Sequence, residues 1–196
     1  MYDSTNENVV TKIGSSGEKF VVLTFDDGPS RLLPQFLDVL KQENVPAVFF
    51  WQTRLLHPKR PWQRVLDEGH LIGSHTVKHR NLVELTKEEQ FKDISNSINA
   101  IEQITGSSVR YFRPPYGRFD ADTLQVTEQL DTTLVMWKIA SMDWELKKDP
   151  DQIIANVTEN LEDGAVILLH ELPQTLKVLP ELIASIKERG YGFTLL

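Results

Sequence analysis

"KFVVLTFDDGPS", residues 19–30, runs a series of β-formers into two adjacent carboxylates and then breaks the chain. Phe20, Val21, Val22 and Leu23 are apolar at successive positions rather than alternate ones, the pattern of a strand covered on both faces, as in a parallel sheet. Gly28 and Pro29 end it. Asp26 and Asp27 lie side by side where it stops, and burying either costs several kcal/mol unless a cation or a donor meets it. Something cationic is therefore expected nearby. The plainer alternative is that Asp27 or Ser30 caps a helix starting near Arg31.

The rest of the chain alternates in the same style. Strand-like runs recur at "AVFFW" (47–51), "HLIG" (70–73), "RYFR" (110–113), "TLVMWKI" (133–139), "AVILL" (165–169) and "YGFTLL" (191–196). Between them lie helix-period segments at 32–44, 86–105, 149–164 and 175–190; Thr86 with Glu89 forms a capping box and Gly190 closes the last. Strand–helix alternation means a parallel α/β fold. A full eight-unit barrel takes about 250 residues. A chain of 196 residues with about seven strands therefore predicts a shortened or distorted (β/α) barrel, with an open doubly wound sheet as second choice.

Composition narrows the function classes. With 40% hydrophobic and 25% charged residues, the chain reads as one globular domain able to bury a full core. A net charge of −7 disfavours nucleic acid and anionic membrane surfaces as partners, leaving neutral substrates open. Cysteine is absent, which excludes disulfides and thiolate metal sites, so any metal falls to His, Asp or Glu. The first fourteen residues are polar and lack the apolar core of a signal peptide, and no segment approaches the roughly 18 apolar residues of a membrane span.

In both candidate folds, sites form at the C-terminal ends of the strands. Asp26-Asp27 follows the first strand, "SHTVKH" follows "HLIG", Arg113 ends "RYFR", "ASMDW" follows "TLVMWKI" and His170 follows "AVILL". Acid, imidazole, guanidinium, acid and imidazole on one rim are hard to read as packing. His75 and His79 are spaced i, i+4, which on a helical turn puts both rings on one face. Two imidazoles and a carboxylate are a catalytic zinc set with a position left for water. Taken singly, Arg113 reads equally as an ion-pair residue, Trp144 and Leu168 as core and His170 as a strand-end histidine; His57 and His70 fit no pattern.

Thr24-Phe25-Asp26-Asp27-Gly28, Ser74-His75-Thr76-Val77-Lys78-His79, Arg113-Pro114-Pro115-Tyr116-Gly117, Asp143-Trp144 and Leu168-Leu169-His170, in that order, resemble the five motifs of the polysaccharide deacetylases, carbohydrate esterase family four or the NodB-homology domain. The likeness spans nearly the whole chain, setting residues 1–18 apart as an N-terminal extension and 19–196 as the catalytic domain. It implies that Asp27, His75 and His79 bind a divalent metal, Zn2+ or another such as Co2+, and that Asp26 is the base that deprotonates metal-bound water. Arg113 then resembles the guanidinium that fixes Asp26, a task suited to a bidentate fork. His170 resembles the general acid, with Asp143 orienting it and raising its pKa. Tyr116 would offer its backbone N–H to the oxyanion, and Trp144 and Leu168 would wall the acetyl pocket. Ala140 stands where many relatives carry another acid.

The resemblance implies removal of acetyl from N-acetylglucosamine-type sugars of a glycan, peptidoglycan or a chitin-like polymer, by a monomer at or near the cell envelope. No Gly-x-Ser-x-Gly elbow offers a covalent nucleophile instead. O-deacetylation of xylan is the rival chemistry and a non-catalytic glycan-binding relative the rival class. Asp26, Arg113 and His170 speak against the latter, because binding needs neither base nor acid.

Overall fold

A computed structural model describes residues 8–14 and 17–196, so residues 1–7, 15 and 16 of the expected N-terminal extension lie outside it. The strands are β1 (Val9–Val10), β2 (Phe20–Gly28), β3 (Ala47–Trp51), β4 (Leu71–Ser74), β5 (Tyr111–Phe112), β6 (Thr133–Val135), β7 (Ile139–Ala140), β8 (Val166–His170) and β9 (Gly192–Phe193). The helices are α1 (Leu33–Glu43), α2 (Trp62–Asp67), α3 (Lys87–Thr105), α4 (Ala121–Gln129), α5 (Asp151–Thr158) and α6 (Pro173–Glu188). Every ladder between these strands is parallel, in the order β1-β6-β5-β4-β3-β2-β8-β7 with β9 on β2. This is the distorted (β/α) barrel expected from the alternation.

The strand number differs from the expected seven for two local reasons. The run at 133–139 divides: β6 pairs with β5 at one end of the sheet, and after three intervening residues β7 pairs with β8 at the other. The chain thus carries itself across the gap between the sheet's ends. Residues 9–13 fill that gap: β1 pairs with β6, the Val166 N–H donates to the Thr11 carbonyl (3.1 Å) and the Ile13 N–H to the Gly164 carbonyl (2.9 Å).

Period-two alternation sorts β2 between two cores. Leu23 and Phe25 face the helices, where Phe25 stacks on Phe49 (5.3 Å) and meets Phe36 of α1 edge-on (5.2 Å). Val22 instead joins Val48, Phe50, Val135 and Val166 in a small separate cluster. Thr24 and Asp26 follow Val22 at steps of two, so a polar column rises on the Val22 face toward the rim. α3 begins on the expected capping box, with Thr86 and Glu89 each accepting the other's N–H.

Candidate active site

Asp26 is the last regular residue of β2 and is 3% exposed. Alternation would turn Asp27 to the opposite face, but β2 bulges there: Asp26 pairs with Phe50 and Gly28 with Trp51, leaving Asp27 as the extra residue, at φ 66°. The bulge lets two consecutive carboxylates serve one cavity. The expected cation is Arg113, which is fully buried. Its Nη1 donates to Asp26 Oδ1 (2.7 Å) and Thr24 Oγ1 (2.7 Å), while Nε and Nη2 donate to the carbonyls of Val135 (3.1 Å) and Met136 (2.8 Å). The guanidinium lies 4.2 Å over the Phe50 ring. It therefore meets Asp26 through one nitrogen rather than a bidentate fork, because its other donors satisfy buried carbonyls. Asp27 caps no helix; its Oδ1 accepts from Gln52 Nε2 (2.6 Å), and Gln52 is held in turn by Arg54 Nε (2.8 Å).

His75 and His79 follow β4 in a loop rather than a helical turn; positive φ at Thr76 (66°) and His79 (59°) folds it so that the rings meet at 4.9 Å. His75 Nδ1 lies 2.7 Å from the Arg113 carbonyl, which can only accept, so Nδ1 carries the proton and Nε2 keeps its lone pair. That Nε2 is 3.7 Å from Asp27 Oδ1, and His79 Nε2 is 3.4 Å from the same oxygen. One ligand atom from each of Asp27, His75 and His79 lies within 4.8 Å of the others. The donor chemistry and the exposed lone pairs fit a divalent ion such as zinc. Burial pushes the Asp27 carboxyl up, but His75, His170, His79 and the Gln52 amide outweigh it and hold it below its usual range. Burial and then His75 lower the His79 imidazole, against Asp27 and Asp26, which favours the neutral ring a metal requires.

Across the cavity, Asp143 is fully buried and its carboxylate receives three donors. His170 Nδ1 (2.7 Å) bonds Oδ1, while the His170 backbone N–H (2.7 Å) and Thr175 Oγ1 (2.5 Å) bond Oδ2; Gln174 Nε2 reaches its carbonyl (2.8 Å). With Nδ1 donating, the other ring nitrogen of His170 is left for the cavity. Burial alone would lower the pKa of His170, but the hydrogen bond and charge of Asp143, followed by Asp26 and Asp27, raise it.

Asp26, Asp27, His75, His79 and His170 line one cavity of about 430 Å³, whose walls include Tyr116, Trp137, Trp144, Leu168 and Leu172. Arg113 and Asp143 stand directly behind it, each bonded to a lining residue. Tyr116 (φ 60°) packs edge-on against His79 at 4.4 Å and Trp144 against His170 at 5.3 Å. All ten site residues singled out in the sequence come together here, whereas His57 is exposed and His70 is buried behind β3, its Nδ1 accepting from the Ala47 N–H. Sequence reasoning missed Gln52, Thr24, Thr175 and Glu171. Gln52 carries a usable signal, because it directly follows the strand "AVFFW" and so falls on the same rim.

The barrel and its rim define a class: an α/β-barrel protein with a cluster of carboxylates and imidazoles at the C-terminal ends of its strands. The chain belongs to the polysaccharide deacetylase family, whose model matches residues 13–135. A peptidoglycan-N-acetylglucosamine deacetylase of Bacillus cereus is 34% identical over 184 residues, covering 90% of this chain and 66% of that protein. The crystal structure of the Bc1960 peptidoglycan N-acetylglucosamine deacetylase is similar with a TM-score of 0.89 at 31% identity, covering 96% of this chain and 91% of that one. BA3943, a pseudoenzyme of carbohydrate esterase family four from Bacillus anthracis, is similar at 0.85 and 27% identity, covering 94% of this chain and 66% of that one. The fold thus occurs with and without activity, and function has to be argued from the site.

Proposed function

We propose that this chain is a divalent-metal-dependent hydrolase that removes acetyl from N-acetylglucosamine units of a glycan, with peptidoglycan of the cell envelope as the leading polymer. The observation that carries the reading is one cavity lined by both an Arg113-held Asp26 and an Asp143-held His170, with the Asp27–His75–His79 cluster beside them. A binding module needs no such paired base and acid. The peptidoglycan-N-acetylglucosamine deacetylases among the relatives support the choice of substrate class.

Asp27, His75 and His79 would hold the metal, which when bound makes a water acidic enough to attack near neutral pH and polarises the acetyl carbonyl. Asp26, held by Arg113, takes the proton from the attacking water. The Tyr116 backbone N–H stabilises the oxyanion as the carbonyl carbon becomes tetrahedral. His170, as imidazolium oriented by Asp143, then gives its proton to the sugar nitrogen while the C–N bond breaks. Acetic acid, which releases its proton to solvent as acetate, and a free amine result, and the proton taken by Asp26 resets His170. Trp144 and Leu168 bound the space for the acetyl methyl. Among the described residues no helix is long and apolar enough to cross a membrane.

Acetate release should be measured with zinc-loaded protein on chitooligosaccharides, peptidoglycan and acetylxylan. Release from the N-acetylated polymers is expected. Release from acetylxylan alone would replace the reading with O-deacetylation, and none from any, with zinc bound, would make the chain a binding relative.

A further inference from the structure

Glu171 follows His170 at the end of β8, is 5% exposed, and has no part in the chemistry above. Burying a carboxylate there is costly unless donors meet it, and three do: the Ser30 backbone N–H bonds Oε2 (2.8 Å), the Ser30 hydroxyl adds a second bond, and Trp51 Nε1 bonds Oε1 (3.2 Å). Its own backbone N–H lies 3.4 Å from the Asp26 carbonyl. One residue therefore bonds the β2 turn on both sides of the bulge, at Asp26 before it and at Ser30 after it. Trp51, the last residue of β3, adds a third strand end. Gly28 fits this closeness: a Cβ there would stand 1.8 Å from Glu171 Oε1 and 2.6 Å from its Cδ, although Gly28 does not have a positive φ. The same Cβ would stand 2.8 Å from Trp51 Cδ1, so the glycine makes room for the Glu171 carboxylate and the Trp51 ring rather than for a special backbone conformation. On the other side of the turn, the Gln52 N–H bonds the Gly28 carbonyl (2.9 Å) and its side chain bonds Asp27.

We infer that Glu171 is a positioning residue for the metal site: its carboxylate fixes the Asp26–Ser30 turn so that Asp27 meets His75 and His79 in a preformed set. The physical reason is that Asp27 occupies a left-handed bulge that most residues avoid, so the turn holds its shape only while neighbours over-determine it. Loosened, Asp27 would have to be ordered by the ion itself, and affinity would fall. The inference rests on Asp27, His75 and His79 being metal ligands.

The test is the zinc dissociation constant of the full chain, measured by chelator competition, with circular dichroism as the check on folding. Glu171→Gln keeps the size but turns an NH2 group toward a donor, because both carboxylate oxygens accept hydrogen bonds. It should weaken zinc by about 10-fold at most, the lower end of what losing a ligand's own hydrogen-bond partner costs, because Glu171 acts on Asp27 only through the turn. The absorption spectrum of the Co2+-loaded variant should shift. Trp51→Phe removes one donor and keeps the carboxylate; it should weaken zinc in the same direction by less, and it decides the question where Glu171→Gln does not fold. A folded variant that binds zinc within about twofold of the parent chain overturns the inference, whatever its melting temperature, because a purely structural role changes stability and leaves affinity alone. A parent chain without tight zinc overturns both this inference and the proposed function, whereas intact zinc in the variant leaves the function standing.

Discussion

At the residue scale, the bulge in β2 gives the adjacent carboxylates Asp26 and Asp27 different neighbours, Arg113 for one and Gln52 for the other. Repulsion between adjacent carboxylates pointed to a cation, and Arg113 is there, 2.7 Å from the buried Asp26. The bulge was not legible, because nothing in "FDDG" says which residue leaves the ladder; only the pairing with Phe50 and Trp51 shows that it is Asp27. The two aspartates should therefore separate on mutation. Asp26→Asn is expected to keep stoichiometric zinc and lose turnover by about 100- to 10,000-fold, the usual worth of a general base. Asp27→Asn should instead weaken zinc, measured by metal analysis after dialysis; the reverse pattern would exchange the roles. The acid side is tested by pH. Asp143 raises the pKa of His170 against burial, so His170 stays protonated to a higher pH than an ordinary histidine. As the rate needs the imidazolium, activity is present below the pKa of His170 and lost as pH rises through it. Asp143→Asn removes that support and should move the basic limb of the pH–rate profile to lower pH with zinc unchanged; an unmoved limb would deny His170 its role as acid.

At the element scale, long periodic segments were legible and short ones were not. α3 carries an apolar period and a capping box, both readable from residues 86–105 and both present. α2 has six residues, too few for a period to emerge. α4 is nine residues opened by an Asp120–Thr123 capping box, but its buried positions include two threonines, which blur the stripe. The run at 133–139 read as one strand because apolar residues continue through it, whereas Met136, Trp137 and Lys138 carry the chain between the two ends of the sheet. For α3, Thr86 accepts the Glu89 N–H, an N–H that the helix itself leaves free. Thr86→Ala should cost about 1 kcal/mol and lower the melting temperature by roughly 2–4 °C, with zinc affinity unchanged, as followed by thermal unfolding.

At the scale of the whole molecule, the barrel depends on a segment that the residue patterns did not mark as structural. Residues 9–13 form a strap between β6 and β8: Val9 is 7% exposed, the Met136 N–H bonds the Val10 carbonyl (2.8 Å), and Lys12 pairs with Glu162. Two valines among polar residues carry too little pattern to read as a strand. The strap reaches the site by a short route, because Met136, which it bonds through N–H, receives Arg113 Nη2 through its carbonyl. Gly164 is the place to test it. Its φ is 76° and a Cβ there would lie 2.2 Å from the Ile13 carbonyl oxygen, so alanine meets two obstacles, backbone strain and the strap. Strain alone costs on the order of 1 kcal/mol. In the full chain Gly164→Ala should therefore cost more than that, by displacing Ile13, and in a chain begun at residue 14 it should cost the strain alone. Truncation alone should destabilise by exposing what Val9 covers, about 1.5–3 kcal/mol, together with the lost hydrogen bonds at roughly 0.5–1.5 kcal/mol each. Acetate release by the truncated chain should fall with zinc retained, since Arg113 loses support while the ligands do not. Denaturant unfolding of the four chains gives the coupling directly: equal costs of Gly164→Ala with and without residues 1–13 would mean that the strap does not close the barrel in solution.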